Sequence, residues 1–510
     1  MNDKAIVTMS DEATIFLTDR VDLFAETRPD ETALIDGKVT ATWQTVASRM
    51  SDWANRLSAS GAAPGTPIGL LTGNIFDGIC SMLGILKCGA YPVFLPKHAS
   101  QLALSAMVDD SGMETCLIDP ALLFGLETDK VDSIPLITNK QLADWQEGHV
   151  FTRPDISPGA NFNCVYSSGT TSRPKGILQS HQLRGAQIES GTLMGIEPGK
   201  VSILSTPLDS DTTIVGLVGA LGNGAAIVLM EKFSPERFVE LSNIYRTTHT
   251  IMVPVQYERI LDSIAFTADP PESIEVSICT GAPLPIHRKG ELAERWPGEI
   301  LEVYGLTEGG ATTLLSLKGQ PEKHATVGMA FPGAELRIID DGGVELSANQ
   351  VGEIVGRDKH EMTGYTDEEA QSSVHWIASD GLRFLRTGDL GSLDEDGFLT
   401  VQGRKKDMLI SGGFNVYPRD IEDVISRQET IRDVAVVGRP DERWGEVPIA
   451  FVVLKAPTDL SVLRDTVNAQ LSKTQRVADV FAIDEVPRNA GGKADKVGLR
   501  RIATKEASNV

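Results

Sequence analysis

Apolar positions along the chain follow two periods. Over Trp43–Leu57 they recur every three to four residues, the pattern of a helix with one buried face. Over Thr32–Ile35, Pro67–Leu71 and Tyr91–Leu95 they form short runs, the pattern of strands. Helical spacing also covers Asp11–Arg28 and Phe76–Lys87, and the rhythm continues through Ala99–Asp119. Residues 120–160 are rich in loop formers and carry no recognisable chemistry. The alternation then resumes with strand Val201–Ser205, helix Thr213–Leu221, strand Ala225–Met230 and helix Pro235–Tyr245. Strand Thr250–Val253, helix Val255–Ile264 and strands Glu275–Cys279 and Ile300–Val303 follow. Such alternation predicts layered α/β sheets.

From Val327 to about Thr400 the texture changes to short strands with Gly and Asp turns. Asp340–Gly343 and Asp394–Gly397 are hairpin signals, so a small β subdomain is expected. The last hundred residues read as a compact α+β unit. It comprises helix Asp420–Arg427, strands Val434–Val437 and Val447–Leu454, helix Leu460–Leu471 and strand Val480–Ile483.

Composition narrows the function. A chain of 510 residues is too long for one core. Seventy acidic against 47 basic residues, a net charge of −23, argue against nucleic acid or an anionic membrane as partner. Five scattered cysteines form neither a disulfide framework nor a zinc site and point to a reducing compartment. Asp3, Asp11 and Glu12 near the start argue against a signal peptide. The longest uncharged run, Thr212–Met230, is broken by Gly222-Asn223-Gly224, so no membrane span is expected.

One stretch concentrates chemistry: Cys164 to His181, C-V-Y-S-S-G-T-T-S-R-P-K-G-I-L-Q-S-H. Ser167, Ser168, Thr170, Thr171 and Ser172 supply hydroxyls, Arg173 and Lys175 supply cations, and Gly169 and Gly176 let the backbone approach a ligand. Read as a strand-to-helix loop, it has what a polyphosphate needs. It is not a Walker loop, because Pro174-Lys175-Gly176 stands where G-K-[ST] would be required. Further on, strands end in Thr280-Gly281-Ala282-Pro283 and in Tyr304-Gly305-Leu306-Thr307-Glu308. Ligands of open α/β sheets sit at the carboxyl ends of strands, so these loops should converge. Arg386-Thr387-Gly388-Asp389, the basic knot Gly403–Asp407, Ser411–Pro418 and Pro487-Arg-Asn-Ala-Gly-Gly-Lys493 complete the series.

Y-S-S-G-T-T-S-R-P-K-G, Y-G-L-T-E, T-G-D, G-R-K-K-D-M-L-I-S-G-G and P-R-N-A-G-G-K occur in this order. Together they make the chain resemble the adenylate-forming superfamily of acyl-CoA synthetases, amino-acid adenylation domains and beetle luciferase. The resemblance spans nearly the whole chain. It implies an N-terminal adenylation domain over residues 1–402 and a mobile C-terminal domain over 403–510. It implies that Ser167, Ser168, Gly169, Thr170, Thr171 and Lys175 hold the ATP phosphates, and that Gly281, Ala282, Glu302, Tyr304 and Gly305 surround the nucleotide. It places the α-phosphate on Thr307, Mg²⁺ on Glu308 and the ribose on Asp389, with Arg404 contacting the ribose or a phosphate. Lys493 falls at the catalytic lysine, Lys406 at the hinge, and Ser411, Gly412 and Gly413 face coenzyme A. Asp209, Val255, Gln256, Cys279, Gly309 and Gly310 fall at the acyl pocket.

The implied activity is AMP-forming ligation of a small carboxylic acid to coenzyme A in the cytoplasm, with ATP and Mg²⁺; a homodimer is compatible with it. Leu208-Asp209 departs from the aromatic-His pair frequent in carboxylate–CoA ligases. An Asp there occurs in amino-acid-activating relatives. That keeps open a stand-alone adenylating enzyme for an amino or other polar acid, passing its product to a carrier protein. A degenerate nucleotide-binding homologue is the other alternative.

Overall fold

The computed structural model describes residues 14–37, 39–97, 99–119, 122, 136–138, 151–166, 175–358, 361–367, 374–488 and 493–507. Within them the helical stretches form where one face can be buried. In helix Trp43–Ala59 the Thr42 hydroxyl accepts from the Thr45 N–H at the first turn, and Trp43, Val46, Met50, Trp53 and Leu57 turn inward. That face packs on helix Phe76–Lys87, where Gly84 permits the contact because a Cβ there would collide with Trp53.

Two large sheets carry the first part of the chain. One runs, in order, Met329–Ala330, Thr313–Ser316, Glu299–Tyr304, Val276–Thr280, His249–Met252, Val201–Leu204, Ala226–Leu229, Thr32–Ile35, Thr40–Thr42. Its six central neighbours from Glu299–Tyr304 to Thr32–Ile35 pair in parallel, as crossover helices require. The other runs Gly364–Tyr365, Gly176–Ser180, Asn161–Tyr166, Tyr91–Phe94, Pro67–Leu71, Cys116–Ile118, Leu136–Thr138. The strands expected in the next segment form a smaller antiparallel sheet, Glu335–Ile339, Gly352–Arg357, Arg383–Leu393 and His375–Ile377, with Leu399–Arg404 paired to Arg383–Leu393. Asp394–Gly397 closes that last hairpin as expected. The C-terminal unit has its own sheet and its own apolar clusters. The α/β class with a large first part and a smaller second part is therefore the architecture observed.

Three expectations change. The segment 167–174 lies outside the described residues, but it joins two antiparallel strands, with Tyr166 opposite Gly176. Helix His181–Leu193 begins only after the second strand, where the Ser180 hydroxyl accepts from the Leu183 N–H. The segment thus links two strands rather than a strand and a helix. Second, the helix expected over Val255–Ile264 stops at Leu261, because the Ser263 hydroxyl donates back to the Ile260 carbonyl and starts a new turn at Phe266. Third, the C-terminal unit ends in a further helix, Lys496–Ala507, whose Leu499 and Ala503 are buried against the sheet.

All five cysteines are buried free thiols. Burial raises each thiol pKa, that of Cys116 to about 12, so they are packing residues at neutral pH. Among the described residues, no helix is long and apolar enough to cross a membrane.

Candidate active site

The strand ends of both large sheets, the small sheet and the C-terminal unit face one cavity of about 850 Å³. Asp389 reaches it through a local break in strand Arg383–Leu393. Gly388 sits at φ 68°, where the pairing with Gly352–Arg357 slips register. The Thr387 hydroxyl stabilises the break by donating to the Ile354 carbonyl at 2.8 Å and accepting from the Asp389 N–H at 3.0 Å. Asp389 then lies opposite Arg404 on the neighbouring strand. Arg404 Nε meets Oδ1 at 2.8 Å, and the Tyr304 hydroxyl donates to Oδ2 at 2.8 Å. Burial pushes the Asp389 carboxyl pKa up, against the pull of Arg404 and Tyr304. A buried carboxylate held by two donors, with lone pairs to spare, can accept two hydroxyls.

Glu308 stands just beyond strand Glu299–Tyr304. Its main-chain carbonyl accepts from the Met362 N–H at 2.8 Å, and its Oε1 accepts from the Tyr365 hydroxyl at 3.0 Å. Tyr365 arrives on the two-residue strand Gly364–Tyr365, paired to Gly176–Ser180, and Lys175 Nζ lies 5.5 Å from its ring centre. Burial first, and Glu308 second, hold the Tyr365 phenol well above its usual range, so it stays a donor. Among the described residues no cluster of three or more His, Cys, Asp or Glu could hold a metal ion. One carboxylate with a second oxygen open fits Mg²⁺ brought with a nucleotide, since that ion takes one or two carboxylates plus phosphate oxygens.

Lys493 enters the same cavity from the C-terminal unit. The surrounding walls and the Arg404 guanidinium push its ammonium pKa down, while Asp389 and Glu308 pull it up, although its own surface stays open to the cavity. The connection between the two parts is one 3₁₀ turn, Lys405–Asp407, held from both sides. Lys405 Nζ pairs with Asp341 at 2.7 Å and Glu353 at 3.3 Å in the first part, and Asp407 pairs with Arg500 at 3.0 Å in the second. Lys406 lies between these anchors and lines the cavity. Strand Leu399–Arg404 still belongs to the small sheet, so the chain leaves it at Lys405, two residues after the expected boundary.

Of the other expected site residues, Ser167, Ser168, Gly169, Thr170 and Thr171 lie outside the described residues. Gly281, Ala282, Gly305, Thr307, Asp209, Val255 and Gly309 line the cavity. Glu302 has another use. It lines the cavity, but its carboxylate is buried against Lys289 Nζ at 2.5 Å, and that lysine also donates to the Thr326 carbonyl. Gln256 folds back on its own helix: its Oε1 accepts from the Val253 N–H and its Nε2 donates to the Ser205 carbonyl. Cys279 is in the apolar core, and Gly310 packs under Leu385. None of these three lines the cavity. Ser411, Gly412 and Gly413 form the hairpin between Leu409–Ser411 and Phe414–Val416, outside this cavity, with Gly412 and Gly413 at positive φ.

Two residues escaped the sequence reading. Tyr365 carried no motif signal. Gln179 interrupts the apolar run Gly176-Ile-Leu-Gln-Ser180, which was a usable signal; its amide donates to the Thr307 carbonyl at 2.7 Å and holds that loop.

The chain belongs to the AMP-binding enzyme family, whose model matches residues 21–366, with the AMP-binding enzyme C-terminal domain matching 420–493. Among curated proteins it is 28% identical, over 96% of this chain and 98% of the other, to an indoleacetate–CoA ligase of Aromatoleum aromaticum. Among solved structures it is similar to the o-succinylbenzoate CoA synthetase of Bacillus subtilis in complex with its acyl-adenylate intermediate. The TM-score is 0.84 and the identity 26%, over 96% of this chain and 98% of that one. The same enzyme has also been solved with ATP and a magnesium ion, with a TM-score of 0.84, 26% identity and coverage of 96% and 99%.

Proposed function

We propose that this enzyme is an AMP-forming acyl-CoA ligase. The observation that carries the reading is Lys493: a lysine from the C-terminal unit shares one cavity with Asp389, Arg404 and Glu308 of the first part. That arrangement suits a reaction between two anions whose repulsion must be neutralised at the point of attack.

In the first half, a carboxylate oxygen attacks the α-phosphorus of ATP, and the bond to pyrophosphate breaks to leave an acyl-adenylate. Asp389 anchors the ribose, Thr307 holds the α-phosphate, and Lys493 bridges the attacking carboxylate and the phosphate. Glu308, fixed by Tyr365, would hold Mg²⁺, which supplies charge neutralisation on the phosphates when bound. Holding both reactants in line accounts for on the order of 7–11 kcal/mol in favourable cases. In the second half the C-terminal domain turns about Lys406, withdraws Lys493 and brings Ser411–Gly413 toward the cavity. The sulfur of coenzyme A then bonds to the acyl carbon as the bond to AMP breaks.

We place the enzyme in the cytoplasm, in keeping with its buried free thiols. Light scattering tests whether it is the homodimer the family resemblance allows. The deciding experiment incubates the protein with ATP, Mg²⁺, coenzyme A and a panel of carboxylic acids, reading AMP and thioester together. Matched AMP and thioester are expected for at least one acid. AMP without thioester would point to a carrier-protein acceptor, and no AMP with any acid would refute adenylation.

A further inference from the structure

One wall of the cavity holds a buried polar network that, apart from the bond from Gln179 to the Thr307 carbonyl, neither half-reaction uses. Its centre is Arg184 on helix His181–Leu193, 1% exposed. Every nitrogen of the guanidinium is engaged. Nε donates to Asn163 Oδ1 at 3.0 Å, one terminal nitrogen to Gln187 Oε1 at 2.7 Å, and the other to Asp211 Oδ1 at 2.7 Å and to Gln179 Oε1. Gln179 in turn donates to Asp211 Oδ1 at 3.3 Å and to the Thr307 carbonyl, and Asn163 donates to Gln179 Oε1 at 2.8 Å.

Burying an arginine carries a desolvation penalty of several kcal/mol, so the network needs a reason. Three of its members, Gln179, Gln187 and Asp211, line the cavity. Arg184 fixes what they present there. With Oδ1 taken, Asp211 retains Oδ2 as an acceptor; with its oxygen taken, Gln187 retains its amide N–H groups as donors. Among the described residues neither of these atoms has a hydrogen-bond partner within the protein. An acceptor and a donor oriented by one guanidinium complement a hydroxyl group, which gives one hydrogen bond and takes one. An ammonium group fits less well, because Arg184 already neutralises Asp211.

Past this pair apolar side chains enter the lining, interspersed with Ser190, Ser202, His249 and Thr250. Along helix Asp211–Gly222 its wall continues through Val215 to Gly219, facing Met194, Ile196 and Ile251. From Asp211 to Gly219 the helix rises eight steps, about 12 Å.

We infer that the acid activated here carries a hydroxyl group between its carboxylate and an apolar tail. Asp211 and Gln187 are the specificity-determining residues, and Arg184 is the residue that positions them. This inference rests on the adenylation reading above.

The test is ATP–pyrophosphate exchange with octanoic acid, its 2-, 3- and 4-hydroxy derivatives and 3-aminooctanoic acid. Wild-type kcat/KM is expected to favour one hydroxy acid over octanoic acid by at least about 10-fold, since a site built to bond a hydroxyl discriminates against the analogue lacking it. Gln187→Leu and Asp211→Asn should collapse that ratio to within about 3-fold, with the loss falling on the hydroxy acid and mainly on its KM. Arg184→Lys should collapse it too, because an ammonium cannot hold two partners in a fixed fork. Should Asp211→Asn or Arg184→Lys fail to fold, as judged by a thermal melt, Gln187→Leu decides. Preference for octanoic or 3-aminooctanoic acid, or equal loss on both members of the pair in Gln187→Leu, overturns the inference. Exchange that ignores the hydroxyl removes this inference alone, whereas absence of exchange with every acid removes the adenylation reading as well.

Discussion

Asp389→Asn isolates the ribose contact, because it preserves shape while changing charge and acceptor count. The carboxylate offers about four lone-pair positions, of which Arg404 Nε and the Tyr304 hydroxyl occupy two, both at 2.8 Å. The remaining two, one on each oxygen, match two adjacent ribose hydroxyls. In the Asn variant the amide oxygen must stay toward Arg404, since an NH₂ there would oppose another donor. The NH₂ group then faces Tyr304, whose hydroxyl has to reverse and accept. One ribose contact is lost outright, and the other becomes a bond to a neutral oxygen. A hydrogen bond to a charged group contributes about 1.5–3 kcal/mol, so ATP and AMP should bind roughly 10- to 150-fold more weakly. Removing Asp389 also removes an anion that raises the Lys493 pKa, which should carry that pKa lower still. The assay is KM for ATP in pyrophosphate exchange, with AMP affinity by calorimetry and a thermal melt as the folding control. With 2′,3′-dideoxy-ATP the variant and the wild type should be alike, since the hydroxyls in question are gone. A variant that weakens ATP and dideoxy-ATP equally, or shifts neither by more than about 3-fold, would refute the assignment.

Three further outcomes are expected. Lys493→Ala should nearly abolish pyrophosphate release yet still convert supplied acyl-adenylate to thioester; normal adenylation would contradict its role. Lys406→Pro, placed between the Lys405 and Asp407 anchors, should spare pyrophosphate exchange and cripple thioester formation; equal loss in both steps would contradict rotation at this turn. His181 is buried between Phe16 and Phe162, with neither ring nitrogen hydrogen-bonded among the described residues. Burial, with Arg153 adding to it, lowers its pKa from 6.5 to about 4. The unfolded chain therefore takes up this proton first. Its contribution is complete above about pH 6.5 and is lost as pH falls toward about 4, amounting to roughly 3 kcal/mol. Urea melts across that window should show a shallower pH dependence for His181→Phe; identical slopes would show that the ring is not held neutral.

The motif residues were legible because each one's chemistry is local. A Thr-Gly-Asp turn needs a glycine where φ is positive, and Glu308 needs only a strand to end before it. Element types were equally legible where periodicity was strong, as in Phe76–Lys87 and Pro235–Tyr245. Pairing was not, because hydrogen bonding between strands leaves no trace in one strand's own pattern. Only the tertiary structure made 167–174 a link between antiparallel strands and brought Gly364–Tyr365 across to serve Glu308. It also sorted the acyl-pocket residues. Gln256 and Cys279 sit on the same elements as cavity residues, but helix phase and strand alternation turn their side chains elsewhere. Arg184 is the sharpest case. In sequence it is one charged residue in a helix of ordinary composition, with no stated reason to be buried. Its partners come from two strands and two helices, and only folding gives them a common centre.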